Sequence, residues 1–143
     1  KKKDIAEEDL HSIVSDEVYQ APEIYILDDM SISSVTHAKP MASVRLKYKE
    51  GYLEDENTGA GAVDAIYKTI DSLIGETIHL VDYKIQAVTG GTDALAEVNV
   101  RIKYHDRIYT GHSASLDVLV ASAKAYLEAI NKMVFFREKK NGG

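Results

Sequence analysis

No cysteine occurs in these 143 residues, which excludes disulfides, thiolate metal sites and a cysteine nucleophile and is compatible with a reducing compartment. No apolar run approaches the ~20 residues that a membrane-spanning helix needs. Basic side chains are outnumbered: 17 Lys and Arg stand against 23 Asp and Glu, a net charge of −6. The chain therefore lacks the basic footprint of sequence-independent nucleic-acid binding. Lys1-Lys2-Lys3 leads into Asp4-Ile5-Ala6-Glu7-Glu8 rather than an apolar stretch, unlike a signal peptide. With no initiator methionine at its start, the chain reads as a piece of a longer protein, soluble and cytoplasmic, with one domain plus appendages.

Catalytic patterns are equally scarce. His11, His37, His79, His105 and His112 show no metal-ligand spacing, although His112 sits in a glycine-containing segment. No GxSxG elbow is present, and Ser113 and Ser115 have no convincing base and orienting acid. Glu54-Asp55-Glu56 reads as a solvated acidic run and Asp28-Asp29 as a strand irregularity. No catalytic residue and no metal ligand is assigned.

What the chain does contain is a repeat. Val44-Arg45-Leu46-Lys47-Tyr48 is followed by Thr58-Gly59-Ala60-Gly61-Ala62, and Val100-Arg101-Ile102-Lys103-Tyr104 by Thr110-Gly111-His112-Ser113-Ala114. An acid-containing apolar run opens a helix after each, Val63-Asp64-Ala65-Ile66 and then Leu116-Asp117-Val118-Leu119. Such self-similarity marks a duplicated supersecondary unit.

The periodicities fill in the units. Residues 4–18 read as a short helix that connects rather than builds the core, capped by Asp4 with Glu7. Ile24, Ile26, Met30 and Ile32 alternate along a first strand; Ala42, Val44, Leu46 and Tyr48 face inward on a second; Gly51 turns the chain into a third. A helix over 62–74 buries Val63, Ile66, Ile70 and Leu73 and stops at Gly75. In the second unit Val81, Tyr83, Ile85 and Ala87 alternate up to Gly90-Gly91, and Ala96 to Tyr104 is the clearest strand. His105-Asp106 turns the chain, and a helix over 116–134 presents Leu119, Val120, Ala123, Leu127 and Ile130, with Tyr126 at its margin. Residues 136–143 read as a flexible tail. The expected fold is α+β: duplicated βββα units, helices covering one face of antiparallel sheets, behind a linker helix.

Two segments could serve a ligand. Gly59, Ala60 and Gly61 precede a helix, where glycines admit unusual dihedrals and close approach, and first-turn amides attract a carboxylate or phosphate. A structural turn explains the same residues, but the duplicate at Thr110-Gly111-His112-Ser113 suggests two turns facing each other. Along Leu80-Val81-Asp82-Tyr83 and Ala87 to Ala94, small Ala87 and Ala94 leave room for a branched apolar group walled by Leu80 and Tyr83. A plain strand and turn, closed by Asp93, is the alternative.

Taken together, Gly59-Ala60-Gly61-Ala62-Val63-Asp64-Ala65, Asp82-Tyr83, and Val88-Thr89-Gly90-Gly91-Thr92-Asp93-Ala94-Leu95-Ala96-Glu97-Val98 resemble the C-terminal regulatory domain of the 2-isopropylmalate synthase family. Ala121-Ser122-Ala123-Lys124-Ala125-Tyr126-Leu127-Glu128-Ala129-Ile130-Asn131 is similar to that family's last helix. The resemblance covers roughly residues 24–133. It implies a homodimerising domain at 22–135 that binds leucine for feedback inhibition, preceded at 1–21 by a linker from a catalytic barrel. That barrel, which would condense acetyl-CoA with 2-oxoisovalerate using a divalent metal, is not in this chain, so no cofactor is expected here. Effector contacts carry over to Gly59, Ala60, Gly61, Val63, Leu80, Tyr83, Ala87, Ala94, Ala114 and Leu116. Ala62 stands where many members have proline, and Ser113 and Leu116 depart from the usual second turn. Citramalate synthase uses a similar domain for isoleucine, and a dimerisation module without effector is the other alternative.

Overall fold

The computed structural model describes residues 13–14, 21–89 and 94–142, with residues 13, 14, 89 and 138–142 described as backbone only. In chain order the elements are β1 (Ile13–Val14), β2 (Tyr25–Ser33), β3 (Met41–Tyr48), β4 (Gly51–Thr58), α1 (Ala62–Ile74), β5 (His79–Thr89), β6 (Ala94–Tyr104), β7 (Arg107–Ser115) and α2 (Val118–Gly142). Strands β2-β3-β4 form one antiparallel sheet, and β7-β6-β5 form the antiparallel part of a second, which β1 joins in parallel beside β7. Three strands then a helix, twice over, is the expected duplication.

The copying extends further than the sequence motif suggested. β2 pairs Leu27 with Leu46 and Asp29 with Arg45, passing over Asp28. β5 pairs Leu80 with Ile102 and Asp82 with Arg101, passing over Val81. Each first strand thus carries a bulge opposite the same Arg-Leu or Arg-Ile step of its central strand. One extra residue shifts the alternation by one. Hence Tyr25 is buried and Leu27 half-buried before the bulge, Met30 and Ile32 pack against the core after it, and Ile26 is exposed, which corrects its expected inward position. Val81 is likewise the bulged residue and exposed, not a member of the Tyr83 row.

The hairpins that join β3 to β4 and β6 to β7 each turn through two residues. Tyr48 pairs with Gly51 around Lys49-Glu50, so Gly51 opens β4 instead of making the turn. Tyr104 pairs with Arg107 around His105-Asp106, both at positive φ (51° and 67°), the backbone that matches strand twist in tight hairpins.

Helix α1 has the expected bounds. Gly75 ends it in the left-handed region (φ 77°), its N–H donating to the Asp71 carbonyl at 2.8 Å. It lies on β3 and β4, as α2 lies on β6 and β7. Ala42, Val44 and Leu46 of one central strand and Val98, Val100 and Ile102 of the other are the buried floors.

α2 differs most from its expected form. The Asp117 carboxylate accepts the Leu119 and Val120 amides (2.9 and 3.4 Å), so the helix starts after Asp117. It continues through Gly142, where a tail was expected from residue 136. From Ala121 to Val134 only Lys124 and Glu128 escape burial, because the second sheet covers one side while α1 and β2 cover the other. Tyr126 is central, not marginal, at 1% exposure. Ala121, Ala123, Ala125 and Ala129 let the neighbouring layers approach the helix closely. Asn131 links the units: its Oδ1 accepts the Tyr25 N–H at 2.9 Å and its Nδ2 donates to the Tyr25 carbonyl at 3.1 Å.

The helix expected over 4–18 lies outside the described residues except for Ile13–Val14, which are extended against Ile108 and Tyr109.

Candidate effector site

The first glycine turn is built from backbone upward. The Gly59 N–H donates to the Pro40 carbonyl at 3.1 Å. A Cβ at Gly59 would stand 2.3 Å from the Ala65 nitrogen, so α1's own first turn demands glycine there. The Ala60 N–H donates to the Asp64 carboxylate at 2.8 Å, and Lys68 lies 3.3 Å from the same oxygen. These contacts, the amide first, hold the Asp64 carboxyl below its usual range. Gly61 is different. It is extended (φ −146°, ψ 179°), a backbone any residue adopts, and a Cβ there would meet open space. No side chain caps the helix at Gly61, and the first helical bond runs from the Ala65 N–H to the Gly61 carbonyl at 2.9 Å. The amides of Ala62, Val63 and Asp64 therefore precede the helical ladder and carry the partial positive charge of a helix start.

β5 is the edge strand of the second sheet. Leu80, Tyr83 and Ala87 share one face, and Ala94 joins them from β6, because Ala94 pairs with Thr89 and Ala87 with Ala96. Ile85 lies in the same row and is 51% exposed, as Leu80 is at 42%. The Tyr67 ring of α1 meets Tyr83 edge-on at 6.2 Å, and Val63 is one turn before Tyr67 on the same helix face. The fold thus puts Leu80, Tyr83, Ala87 and Ala94 on one face of the second sheet and Gly61 and Val63 at the start of α1, with the Tyr67–Tyr83 ring contact linking the two elements.

The remaining expected contacts fall elsewhere. Ala114 pairs with Glu97, and its neighbour Ser113 pairs with inward Val98, so Ala114 points to the opposite face of the sheet. Leu116, 70% exposed, lies between β7 and α2. Thr110-Gly111-His112-Ser113 is no turn at all but the middle of β7. Gly111 is there because a Cβ would stand 2.0 Å from the Ala125 carbonyl oxygen of α2. Two facing glycine turns within one chain are therefore ruled out. His112 is exposed, with its N–H donating to Glu128 at 2.6 Å.

Sequence reading missed Tyr67 and Ser122. The Tyr67 hydroxyl donates to the Ser122 carbonyl at 2.8 Å. Ser122 Oγ donates to the Val118 carbonyl at 2.8 Å, which leaves it to accept from the Tyr83 hydroxyl at 2.6 Å. The Tyr67 ring stacks on Tyr126 with centroids 3.9 Å apart, and the Tyr126 hydroxyl donates to Asp71 at 2.5 Å. Burial raises the Tyr67 and Tyr126 hydroxyls well above their ordinary value and pushes the Asp71 carboxyl up to about 6. The available signals were the spacing of Tyr67 from Val63 and one serine within an alanine-rich helix.

Two clefts lie away from this region. One of about 480 Å³ is lined by Tyr25, His112, Lys124, Glu128 and Lys132, and burial lowers the Lys132 ammonium to about 8. The other, about 600 Å³, is lined by Gly75, His79, Tyr104 and His105. Among the described residues no group of three His, Asp or Glu is placed to hold a metal, and no helix is long and apolar enough to cross a membrane.

Comparison with known proteins places this geometry in context. The family described as the LeuA allosteric (dimerisation) domain matches residues 4–134. Similar proteins include 2-isopropylmalate synthases of Gloeothece citriformis (43% identical over 134 residues, 93% of this chain) and Heliobacterium modesticaldum (44% over 135 residues, 94%). That of Prochlorococcus marinus is 41% identical over 142 residues, 99% of this chain. The chain spans about a quarter of the length of these relatives (25%, 26% and 26%).

Proposed function

This chain belongs to the LeuA allosteric (dimerisation) domain family, and from that premise we propose that it is the regulatory part of a 2-isopropylmalate synthase that binds leucine for feedback inhibition. The observation that carries the reading is that Tyr67, one turn after Val63 on the helix whose start is uncapped, meets Tyr83 of the Leu80, Tyr83 and Ala87 row edge-on. A free amino acid is a carboxylate on a small branched body. The amides of Ala62 to Asp64 suit the carboxylate, and Gly61 leaves them open to approach. The apolar row suits the side chain, with Ala87 and Ala94 small enough to make space for a branched one.

Dimerisation supports the same reading. β5 is an edge strand, and Leu80, Val81, Ile85, Val88 and Leu95 are exposed along or beside it. An edge of this kind is covered in working proteins, and a second copy of the chain is the occupant that the family description favours. Ala114 and Leu116, remote from the row within one chain, contribute to effector binding from that second copy. The condensation chemistry and its divalent metal belong to a catalytic region outside this chain, in a cytoplasmic enzyme.

Thermal denaturation with leucine, isoleucine and valine tests the reading, since a ligand that binds only the native state raises the midpoint. Leucine should give the largest rise. A larger isoleucine effect points to the citramalate synthase alternative, and no rise with any of the three rejects effector binding.

A further inference from the structure

The tyrosine cluster has no part in the effector contacts proposed so far, yet it begins at one of them. Tyr83 reaches Ser122 through its hydroxyl and Tyr67 through its ring edge. Tyr67 in turn holds the Ser122 carbonyl and lies flat on Tyr126, whose hydroxyl ends on Asp71. The Asp71 carbonyl accepts the Gly75 N–H that terminates α1. An unbroken series of contacts therefore runs from the β5 row, across the seam between α1 and α2, to the end of α1.

We propose that Tyr67 and Ser122 are positioning residues for the effector site: they fix the Tyr83 ring and hydroxyl, and through Tyr126 they make the α1–α2 seam sense whether the site is filled. The role rests on the effector reading above. Three features give it physical content. Ser122 spends its only proton on the Val118 carbonyl, so the Tyr83 hydroxyl has one orientation, as donor. Tyr67 is 5% exposed and touches both Tyr83 and Tyr126, so neither can shift without it. A buried, close-packed group of this kind transmits displacement rather than absorbing it.

Calorimetric titration of leucine into the wild-type chain, Tyr67→Phe, Ser122→Ala and Thr69→Val tests the role. Thr69 is the control: it is buried on the same helix and bonds the Ala42 carbonyl at 3.3 Å and the Ala65 carbonyl at 2.8 Å, outside the tyrosine series. Tyr67→Phe and Ser122→Ala should weaken leucine binding about tenfold, the effect of one lost hydrogen bond. Thr69→Val should lower the unfolding midpoint while leaving affinity unchanged. Equal affinity in all four proteins overturns the positioning role and leaves the effector reading standing; no binding by the wild type overturns both. Transmission has its own readout in the unfolding equilibria of Tyr83→Phe, Tyr126→Phe and the double variant. The double variant should depart from the product of the single effects by at least about twofold, and a simple product refutes transmission.

Discussion

Gly111 of β7 lies against Ala125 of α2 so closely that one added carbon would stand 2.0 Å from the Ala125 carbonyl oxygen. Gly59 has the same relationship with Ala65 in the first unit, at 2.3 Å from its nitrogen. In both units the glycine of the repeated Thr-Gly is thus explained by close approach to the backbone of the following helix, from the turn after β4 at Gly59 and from within β7 at Gly111. At Gly111 it has nothing to do with a ligand.

Gly111→Ala should accordingly destabilise the chain by at least about 1–3 kcal/mol, the range for forcing atoms into a packed interior. Gly51→Ala, where nothing lies within 4 Å, should stay within about 0.5 kcal/mol of wild type. Urea denaturation measures both. The same reasoning makes Gly59→Val a folding variant, so contact with an effector is better probed at Gly61, whose Cβ direction is open.

Asn131 should be among the costliest polar residues to replace. Asn131→Leu leaves the N–H and carbonyl of buried Tyr25 without their partner, at about 1–3 kcal/mol for each. Because the bond joins β2 to α2, the loss should appear as a lower denaturation midpoint and as faster amide exchange along β2. Exchange accelerated only in α2 would argue against a link between the units.

Asp71 gives the chain a pH signature. Its carboxyl is raised to about 6 in the fold, mainly by burial, against 3.8 as the ordinary value. Between these values the native state holds more protons than the unfolded one, so this group's contribution to stability falls as pH rises from about 4 to 6 and is flat above. Asp71→Asn keeps an acceptor for Tyr126 and removes the buried charge. At pH 7.5 it should raise Tm by roughly 2–4 °C, the effect of about 1 kcal/mol at this size. The gain should vanish near pH 4. A loss of stability equal at both pH values would contradict the assignment.

The exposed β5 edge predicts an association phenotype. Ile85→Lys and Val88→Lys, both at exposed positions, should shift the chain from dimer to monomer in sedimentation without lowering the monomer's helix content. A dimer that survives both substitutions places the interface elsewhere.

Much of this architecture was legible in the sequence, and the failures have identifiable causes. α1 was readable from end to end because its apolar spacing and Gly75 agree on one helix. The central strands were readable because Val44-Arg45-Leu46 and Val100-Arg101-Ile102 each bury one face only. The bulges at Asp28 and Val81 were not, since an extra residue leaves composition untouched and only reverses which neighbours point inward. α2 was misjudged because a helix enclosed by sheet, strand and helix needs no polar face, and its alanines are silent about how many sides are covered. Of the expected site residues, Tyr83 and Ala87 share a face because of strand parity, which sequence conveys well, whereas Leu80 joins them only through the bulge at Val81 and Ala94 through its pairing with Thr89. Ala114 fell on the other face because its segment was read as a turn, so parity was not applied to it.

Calorimetric titration of leucine into the wild-type chain and into Ala87→Phe, a replacement that fills the apolar row without touching the core, tests the central claim most directly. Saturable heat in the wild type, absent in Ala87→Phe at an unchanged Tm, is the predicted result. Heat undiminished in the variant, or none in either protein, would contradict a leucine site between the start of α1 and β5.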